Sequence, residues 1–200
     1  MMSWRELGFC TIAAIATACG DVAATADAAA PRGVQCGAQP VEVLPNGGFD
    51  MPTPPWVQDP VTPAILCGAP RITPASAPSA ACLGGVDGTT QTLTQTVPLP
   101  LGARTLTLTG QICIATAETA AVDHDLAQFD VMDGTSVVAA LGKRTNQQGV
   151  AACQFTAFTL TAPVASDPVT ATLRIRSTLD TSMPTSFYVD SLSLKVSCTP

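Results

Sequence analysis

The only histidine of the chain, His124, lies between two aspartates in Asp123-His124-Asp125. These residue types suit a general base or a metal site, because histidine titrates near neutral pH and carboxylates can orient it or add ligands. In an extended chain, however, successive side chains point to opposite sides. We therefore expect His124 to be a loop residue in front of a strand.

A wider group of carboxylates surrounds this histidine in the sequence: Glu118, Asp123, Asp125, Asp130 and Asp133. A glycosidase requires two carboxylates that face one cleft, but four of these acids surround a predicted hairpin, where we expect them to be solvated. A serine hydrolase requires a nucleophile elbow such as G-x-S-x-G, which the sequence lacks. The sequence therefore predicts a protein that is not an enzyme.

The beginning of the chain predicts export. Arg5 precedes an apolar run, Leu7–Ala18, which has the length of a signal-peptide core and is too short to span a bilayer. We interpret residues 1–18 as a signal peptide. The next residues complete the sequence Ala16-Thr17-Ala18-Cys19, which is similar to a bacterial lipobox and predicts lipidation of Cys19. Ala16 stands where leucine is usual, and ordinary cleavage after Ala18 or Ala28 is the alternative.

Residues 19–35 are small, rich in alanine and of low complexity, so they predict a flexible tether. Residues 36–200 then form the folded domain. This organisation predicts an extracytoplasmic protein, either an outer-membrane lipoprotein or a freely secreted one. The membrane would be contacted only through the lipid anchor.

The charge of the chain limits its partners. Its net charge is −6, and Lys143-Arg144 is the only adjacent pair of basic residues. Nucleic acid would require a basic stripe with stacking aromatics, so we expect no nucleic-acid partner. Binding to anionic membranes is disfavoured for the same reason.

Eight cysteines divide into two that belong to the leader region, Cys10 and Cys19, and six in the predicted domain. The six are Cys36, Cys67, Cys82, Cys113, Cys153 and Cys198. An even number in an exported domain indicates three disulfides, for which six cysteines allow 15 pairings. No CxxC pair or Cys/His cluster points to zinc.

The hydrophobic pattern of the domain is that of strands. Ala103–Glu118 alternates strictly, with Leu106 and Leu108 on one face and threonines on the other, as expected for a half-buried strand. A second alternating run places Arg174 and Arg176 toward water. Asp133-Gly134 predicts a type I′ hairpin turn. Further strands are predicted at Pro40–Leu44, Gln91–Val97, Asp125–Met132, Ser136–Leu141 and Ala152–Leu160.

The last predicted strand changes phase. Phe187 and Val189 face one side, whereas Leu192 and Leu194 follow the opposite alternation. Such a slip within a strand predicts a β-bulge at Asp190-Ser191, which would aim Asp190 at a specific partner. In total the pattern predicts an all-β fold, an antiparallel β-sandwich of about 8–10 strands stapled by disulfides.

Two motifs resemble galactose-binding-like jelly-roll domains, a group that includes many carbohydrate-binding modules. The opening Asn46-Gly47-Gly48-Phe49-Asp50, followed by Trp56, is similar to their NGGFE…W start. Phe187–Leu194 is similar to their closing strand. The resemblance covers about residues 36–198. It implies a jelly roll in secreted bacterial proteins, whose members include sugar binders, accessory domains of proteases and stand-alone proteins.

In that family the opening acid and the closing aspartate often hold a structural calcium ion. The matching residues are Asp50 and Asp190, so the resemblance implies one Ca²⁺ between the first and last strands. Asp50 replaces the usual glutamate and Ser191 replaces a second aspartate. Backbone carbonyls would have to supply much of the shell of six to eight oxygens. The alternative is that both aspartates satisfy turn amides.

The jelly-roll topology also bears on the cysteines. Its first and last strands are neighbours, which favours a Cys36–Cys198 disulfide at the termini. Cys67 and Cys82 flank a Pro-rich span and would close it as a loop, which leaves Cys113–Cys153. The Pro-rich span itself, Met51–Ser79, is interpreted either as a recognition loop or as a disulfide-pinned surface loop.

The expected function is a non-catalytic binding or display module of a bacterial envelope. A carbohydrate-binding module and a structural envelope protein that binds another protein are the alternatives. Aromatic platforms usually stack on sugar rings, but Trp56 and the phenylalanines are expected in the core. Tyr188 is the remaining candidate for ligand binding.

Overall fold

The computed structural model describes residues 35–51, 56–119, 121–149 and 152–198. The predicted signal peptide, Cys19 and all of the tether except Gln35 lie outside the described residues. Within the described part, no helix is long and apolar enough to cross a membrane.

Eleven strands and one short 3₁₀ helix, Asn146–Gln148, make up the described fold. The strands are β1 Val41–Glu42, β2 Val57–Asp59, β3 Leu66–Cys67, β4 Ala80–Gly84, β5 Thr90–Pro98, β6 Thr105–Thr116, β7 Leu126–Asp133, β8 Ser136–Thr145, β9 Thr156–Pro163, β10 Thr170–Thr178 and β11 Thr185–Ser197. Since β1 to β3 have only two or three residues each, eight strands of ordinary length remain.

The strands form two antiparallel sheets. The six-stranded sheet has the order β3-β4-β11-β6-β9, with β1 beside β11, and the five-stranded sheet has the order β2-β5-β10-β7-β8. Consecutive strands from β4 to β11 thus give the orders β4-β11-β6-β9 and β5-β10-β7-β8. This is the jelly-roll arrangement of two Greek keys, so the predicted disulfide-stapled β-sandwich is confirmed.

The core lies between the sheets because strand alternation aims one set of side chains inward. In β6, Leu106 and Leu108 are fully buried while the threonines between them are half-buried. Leu173 and Ile175 of β10 are buried in the same way from the other sheet. Removing these side chains from water supplies the main driving force for the sandwich.

Five of the six large aromatic side chains expected in the core are buried there: Phe49, Trp56, Phe129, Phe158 and Phe187. Phe49 and Trp56 of the opening motif pack together, with 5.0 Å between ring centroids. Phe155 is different, because it precedes β9 and is only half-buried.

Three disulfides hold the sandwich, and their pairing is the one favoured by the jelly-roll topology. Cys36–Cys198, Cys67–Cys82 and Cys113–Cys153 have Cα–Cα distances of 5.6, 5.9 and 5.4 Å. The first of them ties the ends of the domain where β1 pairs with β11. An architecture with these disulfides suits an oxidising compartment.

The β7–β8 hairpin differs from its prediction by one residue. Asp133 pairs with Ser136, so the two-residue loop is Gly134-Thr135. Gly134 has a φ of 56°, and Thr135 is not in the positive-φ region. Glycine at the first loop position with positive φ is typical of a type II′ turn, and the predicted type I′ turn is wrong.

The bulge predicted in the last strand is present. The register between β11 and β6 shifts between Asp190 and Ser193, and Ser191 adopts a φ of 52°. Asp190 and Leu192 are both buried as a result. Gly47 of the opening motif lies against this bulge and accepts a hydrogen bond from the Leu192 amide at 2.8 Å.

The Pro-rich span Met51–Ser79 is more than a single loop. It contributes β2 to the five-stranded sheet and β3 to the six-stranded sheet. Ile65 within it is fully buried, and the Gln58 side chain accepts hydrogen bonds from the amides of Ile65 and Leu66 at 2.6 and 3.0 Å. The span is therefore part of the sandwich over much of its described length.

Candidate functional site

A cleft of about 420 Å³ opens at one edge of the sandwich, where β8 and β9, the edge strands of the two sheets, lie side by side. We call it the edge cleft. Its lining comes from β6, the end of β8, the 3₁₀ helix and the beginning of β9. The lining residues are Ile112, Ile114, Arg144, Gln148, Gln154, Thr156, Ala157 and Phe158.

The floor of the edge cleft is apolar. Ile112 and Ile114 occupy inward positions of β6, and Phe158 occupies an inward position of β9. All three are nearly buried, and Phe158 packs on Phe129 with 5.5 Å between ring centroids. The floor is thus a continuation of the core that reaches the surface because no strand covers the sheet edges there.

Arg144 supplies the charge of the cleft. It lies at the end of β8, opposite Ala127 of β7, and its guanidinium carbon is 5.6 Å from the centroid of the Phe158 ring. This distance is within the range of a cation–π contact. One Nη1 hydrogen bond to the Lys143 carbonyl, at 3.1 Å, also restrains the guanidinium.

The 3₁₀ helix positions Gln148 on the opposite rim. The Gln148 Oε1 accepts a hydrogen bond from the Thr145 amide at 3.3 Å. The buried Asn146 fixes the helix to the preceding loop, because its Oδ1 accepts the amides of His124 and Asp125 at 3.1 and 3.3 Å. The amide group of Gln148 thereby gains a defined position beside the cleft.

The disulfide Cys113–Cys153 holds the segment that brings Gln154 and Thr156 to the rim. Gln154 is exposed, and the Thr156 hydroxyl donates to the Ile112 carbonyl at 3.2 Å. An apolar floor with a guanidinium and two amides at its rim can take a ligand that has one apolar face and several polar substituents.

Sequence reasoning did not identify the edge cleft. It noted Arg144 only as half of a basic pair, and the predicted strand ended at Leu141, four residues before β8 ends. Had the strand been predicted to continue to Thr145, the sequence would have placed Arg144 in β8, the edge strand of its sheet. Gln148 and Gln154 had no distinguishing pattern in the sequence.

The acids around His124 are solvated only in part: Asp123 and Asp133 are exposed, as expected, whereas Asp125 and Asp130 are buried. Asp130 is fully buried and lies 2.7 Å from Arg174, while Gln128 donates to its other oxygen at 3.2 Å. The expectation that Asp130 is solvated is wrong, whereas Arg174 lies on the outer face as expected, with 24% of its side chain exposed. The two residues are directly opposite in the β7–β10 register, so each covers the other on the outer face of the five-stranded sheet.

Asp125 is also buried, and its Oδ1 accepts the Asp180 amide at 3.0 Å. His124 lies in the loop before β7, as expected, with its Nδ1 3.0 Å from Asp180. Glu118 and Asp180 share the Ser182 hydroxyl, whose oxygen lies 2.8 and 2.6 Å from their carboxylate oxygens. Glu118, Asp125 and Asp180 therefore have structural partners within the domain.

Asp123, which is exposed, and Asp180, which is half-buried, have lowered pKa values. The hydrogen bond from the Lys143 ammonium, at 2.8 Å, lowers the pKa of Asp123. Hydrogen bonds from the hydroxyl and amide of Ser182 lower the pKa of Asp180, with a smaller contribution from His124. Both groups are ionised more readily in the folded protein than in a free chain.

The proposed calcium ligands lie near one another but differ in environment. Asp190 is fully buried, and its two oxygens accept the amide and hydroxyl of Ser76 at 2.7 and 2.8 Å and the amide of Ser191. Asp50 is exposed. In the described residues, no group of three or more His, Cys, Asp or Glu side chains is arranged to hold a metal. The amide and hydroxyl of Ser76 and the amide of Ser191 already occupy the oxygens of Asp190, which fits a hydrogen-bonded carboxylate better than a calcium ligand. Calcium binding stays a prediction.

Tyr188 lies away from the edge cleft. It is half-buried on the outer face of the six-stranded sheet, between Cys82 of β4 and Cys113 of β6. Two disulfides thus flank it. Its role in ligand binding stays a prediction, and it is not among the residues that line the cleft.

A second depression, of about 290 Å³, lies on the outer face of the five-stranded sheet. Its lining includes Thr94, Thr172 and Arg174. The guanidinium there is already paired with Asp130, and no aromatic side chain lines it. The edge cleft is the better candidate because its charged group is available to a ligand.

Comparisons with known proteins give matches among solved structures. No family model and no curated protein matches the chain. TmCBM61 in complex with β-1,4-galactotriose is 14% identical, with 77% of this chain and 97% of that one covered and a TM-score of 0.48. The N-terminal cellulose-binding domain of Cellulomonas fimi β-1,4-glucanase C is 16% identical, with 78% and 99% covered and a TM-score of 0.42.

The arabinose-bound MgGH51 α-L-arabinofuranosidase is 12% identical, with 78% of this chain covered and a TM-score of 0.50. This chain spans 26% of the arabinofuranosidase. What is shared is the fold. The likeness to the arabinofuranosidase shows the fold alone, so the function must be argued from the site.

Proposed function

We propose that this protein is a non-catalytic extracytoplasmic module that binds a glycan in the edge cleft. The observation that carries the proposal is the combination of an apolar floor, formed by Ile112, Ile114 and Phe158, with a rim of Arg144, Gln148 and Gln154. The volume of about 420 Å³ lies in the range of about 300–1,000 Å³ that is usual for small-molecule sites.

The chemistry of a sugar ring matches this arrangement. One face of a pyranose presents C–H groups, which gain by contact with an apolar floor, and its rim presents hydroxyl groups. The guanidinium of Arg144 and the amides of Gln148 and Gln154 can donate hydrogen bonds to those groups. Because little aromatic surface is exposed in the cleft, we expect modest affinity, in the micromolar to millimolar range.

The module would act outside the cytoplasm, tethered to the outer membrane through Cys19 or freely secreted. The apolar run before Cys19 and the three disulfides support this placement. Mass spectrometry of the mature protein tests it. An acylated N-terminal cysteine would support a display role at the membrane, and an unmodified N-terminus after Ala18 or Ala28 would support secretion.

A glycan panel tests the binding proposal. We expect the wild-type protein to bind at least one polysaccharide or oligosaccharide class, and Arg144→Ala/Gln154→Ala to lose that binding. Arg176→Ala is the matched control, because it removes an exposed arginine of β10, in the same sheet as Arg144, that does not line the cleft. If the double variant still binds the glycan, the ligand lies outside the edge cleft, and Tyr188→Ala is the next variant to measure. If the wild-type protein binds no glycan, the proposal is refuted.

A protein partner is the second candidate, favoured by one observation. Strand β9 is the edge of the six-stranded sheet, and among the described residues it pairs only with β6. A free strand edge can accept a strand from another protein. A specific envelope protein that co-purifies equally with wild-type protein and with Arg144→Ala/Gln154→Ala, in the absence of glycan binding, would favour this function.

A further inference from the structure

The polar groups of the edge cleft are mainly hydrogen-bond donors. The Gln148 Oε1 is occupied by the Thr145 amide, which leaves the side-chain NH₂ to face a ligand. The Thr156 hydroxyl donates its proton to a backbone carbonyl, so its oxygen can only accept from a ligand, but no carboxylate is among the residues that line the cleft. A guanidinium and amide donors without an acidic acceptor favour a ligand that is rich in acceptors.

Arg144 also lacks an internal counter-charge. The three ion pairs found among the described residues join His124 to Asp180, Lys143 to Asp123, and Arg174 to Asp130. The arginine of the other depression is thus neutralised by Asp130, whereas among the described residues the guanidinium of Arg144 has no ion pair and lies against the Lys143 carbonyl and the Phe158 ring. A planar guanidinium of this kind is suited to bind a carboxylate in a bidentate manner.

We propose that the edge cleft binds a carboxylated sugar, a uronic-acid residue of an acidic polysaccharide. This inference rests on the proposed function and specifies its ligand class. The carboxylate pairs with the Arg144 guanidinium, the C–H face of the ring lies over the apolar floor, and the amides of Gln148 and Gln154 donate to the remaining oxygens. A neutral sugar could occupy the same cleft, but it would leave the positive charge of the Arg144 guanidinium without a counter-charge.

The acidity of the whole protein does not contradict a negatively charged ligand. The net charge of −6 repels a long polyanion at low ionic strength, but at physiological salt this repulsion is screened beyond about 8 Å. The contact between a carboxylate and Arg144 acts at hydrogen-bond distance, where screening is weaker. Short oligomers measured at 0.15 M salt therefore report on the cleft itself.

The experiment compares ligands that differ only in charge. Trimers of galacturonate, glucuronate and mannuronate are titrated calorimetrically beside their methyl esters and a neutral galactotriose. We expect at least one free acid to bind roughly tenfold or more tightly than its ester, because hydrogen bonds to charged groups are stronger than neutral ones. Arg144→Gln should abolish that difference, and Arg144→Lys should keep part of it.

Arg176→Gln is the matched control, since it removes the same charge from the five-stranded sheet and should leave the preference for the acid unchanged. Circular dichroism and melting curves confirm that each variant is folded. Equal binding of acids and esters, or a preference that survives Arg144→Gln, would overturn the inference while leaving glycan binding intact. Binding of no sugar at all would overturn both proposals.

Discussion

Replacing Asp190 with alanine tests how the opening and closing parts of the chain are joined. Its buried carboxylate links the bulge in β11 to Ser76, which is 114 residues earlier in the Pro-rich span. It also accepts the amide of Ser191, the residue with a φ of 52°. The substitution therefore removes one support of the bulge and one attachment of the span in a single change.

The magnitude follows from the three hydrogen bonds. Each bond to a charged acceptor contributes about 1.5–3 kcal/mol, which gives an upper limit of roughly 4–9 kcal/mol. Two terms reduce it: burying the carboxylate costs free energy, and water can reach the donors of the half-buried Ser76 after the substitution. We expect Asp190→Ala to lower the free energy of unfolding by about 2–4 kcal/mol.

Urea denaturation with the disulfides intact measures this loss. Ser76→Ala removes only the hydroxyl donor and should cost about 1 kcal/mol. In the double variant, Ser76→Ala should add almost nothing to Asp190→Ala, because the partner of the hydroxyl is already absent. A loss below about 1 kcal/mol for Asp190→Ala, or full additivity in the double variant, would refute the reasoning.

Three further predictions concern stability. If calcium binds at Asp190, the melting temperature should be higher with Ca²⁺ than with a chelator, and Asp190→Ala should abolish the gain; identical wild-type curves would exclude the ion. Gly47→Ala should destabilise the protein by several kcal/mol, since an added Cβ would overlap the Leu192 carbonyl, and a melting curve like that of the wild type would contradict this packing. The lowered pKa values of Asp123 and Asp180 add stability that is complete above the ordinary aspartate pKa, about 3.9, and is lost as the pH falls through the lower folded-state values. Asp180→Asn should therefore flatten the acid side of the stability profile, and an unchanged profile would show that this carboxylate contributes nothing.

Much of the architecture follows from local patterns in the sequence. The alternation around Leu106 and Leu108 predicts which face of β6 enters the core, because side chains of a strand alternate strictly. The same rule locates the bulge, since a change of phase before Leu192 can be accommodated only by an extra residue. The errors lay at strand ends, at the hairpin turn, where one residue changes the turn type, and before Thr90, where strands β2, β3 and β4 were not predicted.

The partners of polar side chains were less predictable. Asp130 and Arg174 both occupy outward positions, which the pattern assigns to water, yet they form an ion pair in which Asp130 is fully buried. Alternation determines which face of the sheet a side chain points to, but not which residue lies beside it on the adjacent strand. That neighbour depends on register and strand order, which involve residues far apart in the chain.

By itself, the sequence determined the class of fold, the inward residues and the place of the bulge, because these depend on periodicity and on residue type. The disulfide pairing was implied only by the resemblance to jelly-roll domains. The edge cleft was decided by the tertiary structure alone. Arg144 and Gln154 belong to different sheets or their flanking segments, and they meet because the jelly roll places the edges β8 and β9 together. The physical reason is that a binding site requires side chains to converge in space, whereas local patterns report only the direction in which each side chain leaves its own strand.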